Sequence, residues 1–187
     1  MDTTPKNHFA FLVTHGEKED CPDPGMTPQG MKRVESLRKP LAEFLPNGPS
    51  QVHIGLGKRQ QEVADALGLE EHSPFYSAVW GGPETETRRG GKSLIMLPNG
   101  RLIDWEHYLS TMHLQSAIFQ AITGLPDGAV ICSGRPVLIR LGMALTDQCC
   151  QSGALYTIRF TPGDPDSIEV ELKVTGVNLG DDKGAAV

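Results

Sequence analysis

The sequence lacks a concentration of positive charge. Its Lys and Arg residues are outnumbered by Asp and Glu, which gives a formal net charge of −6, and no basic cluster is longer than the pair Arg88 and Arg89. Nucleic-acid and anionic-membrane binding depend on a strong positive surface field. The composition therefore argues against both as main functions, and it leaves room for a small anion held by a few local cations.

Long apolar runs and paired cysteines are also missing. No apolar run approaches the roughly 18 residues of a membrane-spanning helix, and residues 1–7 have no apolar signal region. The four cysteines show no CxxC pairing or metal-ligand spacing, and they are too few for a disulfide framework in this chain. We expect a cytoplasmic protein without a metal or cofactor, and Cys132 in the core.

The length and composition predict one globular domain. With 187 residues, of which 39% are hydrophobic and 21% charged, the chain can bury one core and is short for two. We expect a single domain spanning residues 1–187, with an ordered core at about residues 8–177 and a frayed tail over residues 178–187.

Strands and helices alternate in the first part of the chain. Residues 8–13 (HFAFLV) form a nearly continuous apolar run, which is typical of a parallel strand covered on both faces. Thr27 and Pro28 fit the cap and first position of a helix, which Pro40 should kink or divide. A second strand at residues 51–55 precedes another helix.

A hairpin is predicted after a weaker strand at residues 76–79 and a loop over residues 81–91. Apolar residues 94–97 and 101–103 flank an Asn-Gly pair, a strong hairpin signal. Asp104 then suits the cap of a further helix.

The closing elements complete an α/β pattern. A buried strand at residues 129–133 leads into a helix that begins at Pro136. Residues 154–160 alternate as a strand, and residues 168–174 alternate apolar with charged side chains, as in an edge strand. The sequence therefore predicts a three-layer αβα sandwich with a mostly parallel sheet, an antiparallel edge strand and an inserted β-hairpin.

Three strand-to-helix turns are expected at one edge of this sheet, where such folds bind ligands. The first has the sequence LVTHGE, followed by MTPQGMKRVESL. It resembles the signature of the histidine phosphatase superfamily, the phosphoglycerate-mutase-like proteins, in which a strand ends in Arg-His-Gly-Glu before a Leu-Thr-x-x-Gly helix start. HIGLGKRQQEVADALG and AVICSGRPVLIRL resemble that family's second and third elements. The resemblance covers roughly residues 8–175.

The resemblance implies residue roles. In the family the motif His attacks a phosphoryl group, while two Arg and a second His bind its oxygens. Carried over, this makes His15 the nucleophile and Arg59 a phosphate ligand. Thr14 and Gly134 stand where the family has the other Arg and the second His. Arg135 is one residue from the missing His and is a candidate replacement.

Other groups have open roles. The family's general acid follows the second helix, which implies Glu84 or Glu86, and nothing in the sequence separates them. Glu17 either holds the first turn through backbone hydrogen bonds or takes part in catalysis. Lys58 can also lean toward the site, and free backbone donors of Val137 and Leu138 would favour an anion.

The two replaced groups decide the functional expectation. Losing one preorganised donor commonly reduces the rate on the order of 10²- to 10³-fold. The leading hypothesis is therefore a pseudoenzyme with an eroded pocket that binds phosphate or a phosphorylated small molecule. The first alternative is a weak or specialised phosphomonoesterase acting through a phosphorylated His15. The second is an interaction module whose hairpin or edge strand binds a protein partner.

Overall fold

The computed structural model describes residues 6–19, 25–81, 86–89, 92–96, 102–104, 112–143 and 150–177. These residues form nine strands and five α-helices. The strands are β1 (His8–Thr14), β2 (Val52–Ile54), β3 (Phe75–Tyr76), β4 (Glu86–Arg89), β5 (Lys92–Met96), β6 (Leu102–Asp104), β7 (Ala129–Ser133), β8 (Ala154–Thr161) and β9 (Asp164–Thr175). The helices are α1 (Pro28–Glu35), α2 (Arg38–Phe44), α3 (Lys58–Leu67), α4 (Met112–Thr123) and α5 (Arg135–Arg140).

Six strands form one mixed sheet in the order β3-β2-β7-β1-β8-β9. Strands β3, β2, β7 and β1 are parallel neighbours, whereas β8 runs antiparallel to β1 and β9 antiparallel to β8. The predicted mostly parallel sheet with an antiparallel edge is confirmed. Thr14 pairs with Ser133, and Ile54 pairs with Cys132, so β1, β2 and β7 end level with one another. The turns that follow these strands therefore lie at the same edge.

Each face of the sheet carries its own apolar core. Phe11 and Val13 of β1 pack into the first core with residues of α1, α2 and α3. Ala10 and Leu12 point to the other face and join residues of α4 and α5. Cys132 is fully buried, as predicted, and burial raises the pKa of its thiol. Of the helices that the structure describes, none has the length and apolar character needed to cross a bilayer.

Two helices occupy the place of the single predicted one. Thr27 caps α1, because its Oγ1 accepts the Gly30 N–H at 3.0 Å, and Pro28 is the first helical residue, as predicted. The predicted division is confirmed, but it falls at residues 36–37 rather than at Pro40. Pro40 lies in the first turn of α2, where N–H groups have no intrahelical acceptor, so its missing N–H removes no helical hydrogen bond.

The inserted hairpin belongs to a second sheet with the order β4-β5-β6. Ile95 of β5 lies opposite Ile103 of β6 in an antiparallel pair, which confirms the predicted hairpin. Strand β4 pairs with β5 inside the segment predicted to be a loop. That loop prediction is wrong for residues 86–89, because their polar sequence ETRR carries no apolar alternation and only pairing with β5 makes it a strand.

Several element boundaries differ from the prediction. Strand β3 is followed by a 3-10 turn at Ala78–Trp80 rather than continuing to residue 79. Asp104 ends β6, and the start of the helix that it is predicted to cap lies outside the described residues, so that cap stays a prediction. Pro136 is the second residue of α5, and Gly142, with a φ of 85°, lies just beyond the end of that helix.

The edge strand has the predicted pattern. In β9 the apolar side chains at alternate positions are half-buried, and Glu169, Glu171 and Lys173 are exposed. The predicted frayed tail at residues 178–187 lies outside the described residues, and the single domain over residues 1–187 stays a prediction.

Candidate functional site

His15 lies at the sheet edge where β1 ends. Its backbone N–H donates to the Ser133 carbonyl at 3.0 Å, and its own carbonyl accepts the Gly153 N–H at 2.8 Å. Ring nitrogen Nδ1 is 2.8 Å from the Gly16 carbonyl oxygen. Because a carbonyl only accepts, Nδ1 carries the hydrogen, and Nε2 of the neutral ring keeps its lone pair. The imidazole is therefore held in the tautomer whose Nε2 is unprotonated.

The surroundings of His15 keep the imidazole neutral. The residue is only 8% exposed. Burial first, and then the positive charges of Arg59, Arg135 and Lys18, lower the pKa of His15 to about 3, while the hydrogen bond with Gly16 acts in the opposite direction. The three cations therefore produce a positive electrostatic potential at His15, and the neutral ring adds no charge of its own.

Arg59 reaches this site from the start of α3. It is the second residue of that helix and is 4% exposed. The partial positive charge of a helix N-terminus disfavours a cation there. An anion bound at this end of α3 would offset the charge of the buried guanidinium, and Arg59 is close enough to His15 for the two groups to interact electrostatically.

Arg135 and Lys18 supply the other two charges. Arg135 is the exposed first residue of α5. Lys18 follows the His15 turn and was not among the predicted site residues, although its position directly after the LVTHGE motif was a usable signal. The Val137 N–H donates to the Gly134 carbonyl at 3.2 Å, so the expectation of a free donor there is wrong. Lys58 instead lies 3.7 Å from Glu62.

Gly134 packs directly on the His15 ring. A Cβ atom built on Gly134 would lie 2.9 Å from Nε2 and 3.0 Å from Cδ2 of His15. The ring thus fills the space into which a side chain at position 134 would project. The neighbouring Ser133 hydroxyl donates to the Trp80 carbonyl. Position 134 is therefore the one that faces the imidazole, and it provides no side-chain donor.

The His15 turn is packed backbone to backbone on α1. A Cβ on Gly16 would lie 2.3 Å from the Gly30 carbonyl oxygen, and a Cβ on Gly30 would lie 2.5 Å from the Glu17 carbonyl oxygen. The Thr27 N–H donates to that same Glu17 oxygen at 2.8 Å. The Thr-x-x-Gly spacing is explained by this contact, since Thr27 starts the helix and Gly30 admits the turn.

Comparison with known proteins identifies the architecture. No protein-family model and no curated protein sequence matches the chain. A mycobacterial glucosyl-3-phosphoglycerate phosphatase superposes with a TM-score of 0.57 at 10% identity, over 91% of this chain and 99% of that one. An open-reading-frame product of Mycobacterium tuberculosis gives a TM-score of 0.58 at 15% identity, over 92% and 99%. A Thermus thermophilus protein gives 0.51 at 15% identity, over 89% and 99%.

The chain has the histidine phosphatase fold. The suspected resemblance is thereby confirmed at the level of the fold, and the low identities carry nothing about activity. Three sequence motifs pointed to this fold, and they contain His15, Arg59 and Gly134. The structure places all three residues just beyond the carboxyl ends of three adjacent parallel strands.

Within the histidine phosphatase fold, Thr14 has a bonding role of its own. The side chain is fully buried. Its hydroxyl donates to the Gln151 carbonyl at 2.7 Å and accepts the Ala154 N–H at 3.0 Å. A hydroxyl has one hydrogen to donate, and here the Gln151 carbonyl takes it. Thr14 thus ties the end of β1 to the first residue of β8 and to Gln151 before it.

Three glutamates were candidates for a role at the site of this histidine-phosphatase fold: Glu17, Glu84 and Glu86. Glu17 forms an ion pair with Arg33 at 2.5 Å, so its side chain and its backbone both hold the turn. Glu86 is the first residue of β4 in the second sheet. Glu84 lies outside the described residues. The assignment of a general acid to either of the last two stays a prediction.

Proposed function

We propose that this histidine-phosphatase-fold protein binds a phosphorylated small molecule, or phosphate itself, at His15, Arg59 and Arg135 without ordinary phosphatase turnover. The observation that carries the proposal is the set of three cations around a buried, neutral imidazole. A phosphate dianion would offset their charge and accept hydrogen bonds from both guanidinium groups, which are the donors best suited to phosphate oxygens.

The weak turnover in this proposal follows from two missing donors. Position 134 is a glycine, and the donor of Thr14 is taken by Gln151. In this site Thr14 therefore has a structural role rather than a phosphate contact. Each absent donor lowers the rate on the order of 10²- to 10³-fold, because charge on the phosphoryl oxygens is left unsupported in the transition state.

The alternative is slow phosphomonoester hydrolysis, which one observation favours. The lone pair of His15 Nε2 is free of a proton, since Nδ1 holds the ring hydrogen. Nε2 would form a bond to phosphorus as the ester P–O bond breaks, and a carboxylic acid, Glu84 or Glu86, would protonate the departing oxygen. Water would then cleave the P–N bond and release phosphate. Hydrolysis of an aryl phosphate that disappears in His15→Ala would establish this alternative.

Thermal unfolding with and without inorganic phosphate tests the binding proposal. A ligand at 100 times its Kd stabilises the folded state by about 2.7 kcal/mol, which raises Tm by roughly 5–10 °C in a chain of this size. Arg135→Ala should lose most of that shift. Arg159→Ala is the matched control, because Arg159 is an exposed arginine on β8 that pairs with Glu169. An equal shift in both variants, or none in the native chain, contradicts the proposal.

A further inference from the structure

The Arg33 side chain packs against two glycines, Gly153 and Gly176, on its way to the His15 turn. Its Nη1 forms the 2.5 Å ion pair with Glu17. A Cβ on Gly153 would lie 2.5 Å from Arg33 Cδ, and a Cβ on Gly176 would lie 2.7 Å from Arg33 Cγ. The arginine side chain therefore occupies the space beside both glycines, and neither position can carry a larger residue without moving it.

The same glycines are bonded to the backbone of the site. The Gly153 N–H donates to the His15 carbonyl at 2.8 Å, and the Gly176 N–H donates to the Gly153 carbonyl at 2.7 Å. Gly153 also has a φ of 59°, a conformation that favours glycine. Arg33 thus contacts the residue that binds the carbonyl of His15, and its guanidinium pairs with Glu17, two residues beyond His15.

The charge of Arg33 has a consequence for the site. Glu17 is two residues from His15, and its carboxylate is only partly exposed, at 39% of the side chain. Without a partner, that carboxylate would set a negative charge against the field of Lys18, Arg59 and Arg135. It would repel a bound anion.

We infer that Arg33 is a positioning residue of the anion site: it fixes the turn that carries His15 through Glu17 and Gly153, and it neutralises the Glu17 carboxylate. The inference rests on the proposed function, because the site that Arg33 serves is the proposed phosphate site. Arg33 acts here through Glu17 and Gly153 and not as a phosphate ligand.

The test compares three variants by calorimetric titration with inorganic phosphate at pH 7. Arg33→Met removes the charge and keeps much of the side-chain length, and it should weaken phosphate binding on the order of tenfold. Lys32→Met is the matched control, because Lys32 is an exposed cation one position earlier in α1. It should bind within twofold of the native chain. Glu17→Gln removes the negative charge and keeps a side-chain oxygen that can accept from the Arg33 guanidinium, so the turn stays held and binding should not weaken.

The opposite responses of Arg33→Met and Glu17→Gln separate this role from a merely structural one. A structural ion pair would lose the same affinity from either side. Equal losses in both variants, or an Arg33→Met affinity equal to that of Lys32→Met, overturn the inference. If the methionine variant does not fold, Arg33→Gln removes the same charge with a polar side chain and should show the same loss of affinity.

A second readout keeps the inference testable if the native chain binds no phosphate. NMR titration of the His15 ring between pH 4 and 8 should show no protonation in the native chain and in Lys32→Met. In Arg33→Met the ring should begin to protonate within that range, because burial is the largest cause of its low pKa and a turn that Arg33 no longer holds would expose the ring to water. Identical titration curves for the native chain and Arg33→Met overturn the positioning role independently of binding.

Discussion

Gly134 and His15 share one small volume, and this contact controls what the site can hold. With a Cβ 2.9 Å from Nε2, even an alanine at position 134 must push the imidazole aside. A histidine there would displace it further. A Gly134→His substitution would therefore not simply add a donor beside His15, because the His15 ring already fills part of the space.

We expect Gly134→Ala to weaken phosphate binding and to lower the free energy of unfolding by about 1–3 kcal/mol, the usual range for overpacking. Urea denaturation measures the stability, and calorimetry the binding. Gly124→Ala is the control, because its Cβ would find ordinary contacts at 3.4 and 3.7 Å in the structure. Unchanged binding in Gly134→Ala would show that His15 has room that the described contacts exclude.

The depressed pKa of His15 makes stability depend on pH. In the folded chain the pKa is about 3, against about 6.5 when unfolded, so between these values only the unfolded state takes up the proton. Stability is unaffected above pH 6.5 and falls as the pH drops below it.

Relative to His15→Gln, the native chain should therefore lose up to about 1.4 kcal/mol of unfolding free energy for each pH unit below 6.5. Chemical denaturation at pH 7, 6, 5 and 4 measures the difference between the two chains, in which the effects of the carboxylates cancel. Parallel pH profiles would mean that His15 titrates normally in the folded state.

At the scale of elements, the contact between α1 and the His15 turn is the one on which the site depends most. Gly30 lets two backbones approach, because a Cβ there would meet the Glu17 carbonyl oxygen at 2.5 Å and the Glu17 nitrogen at 2.7 Å. Backbone atoms cannot rotate away as a flexible side chain can. The helix and the turn must separate if this residue grows.

Gly30→Ala should consequently destabilise the chain by about 1–3 kcal/mol, although alanine is the better helix former. It should also weaken phosphate binding, since the turn carries His15. The exposed neighbour Gln29 provides the control variant Gln29→Ala, which should leave both properties unchanged. A Gly30→Ala protein as stable as Gln29→Ala would contradict the close contact. Thermal and urea unfolding of the two variants provide the comparison.

Local rules predicted most elements and misplaced some of their ends. The Thr27 cap, the strand β7 and the half-buried β9 follow from side-chain chemistry within a few residues, and each was predicted correctly. Strand β4 was missed because its partner β5, rather than its own pattern, makes it a strand. The helix break precedes Pro40 because proline is tolerated in a first turn.

At the scale of the whole molecule, the sequence carried the fold through three short motifs at the ends of three strands. The sheet order brings those ends together, so His15, Arg59 and Gly134 were predictable as neighbours. Three features of the site could not be predicted: the charge of Lys18 near His15, the packing of Arg33 against Gly153 and Gly176, and the closeness of Gly134 to His15 Nε2. They depend on tertiary distances that no spacing along the chain encodes.

The described site combines a buried, neutral imidazole near three cations with a glycine at position 134 and a threonine whose hydroxyl is bonded to Gln151. These features are the grounds for proposing a site that holds an anion rather than turning it over. The likeness to solved structures establishes the fold alone, whereas the cations around His15 are a feature of this chain.

The most direct measurement is an NMR titration of the histidine ring resonances with inorganic phosphate at pH 7. We expect the His15 signal to shift and saturate while those of His8, His53 and His72 remain in place. Arg135→Ala should weaken the titration, and Arg159→Ala should not. A His15 signal that does not move, or that moves no more than the other histidines, would contradict the proposed anion site.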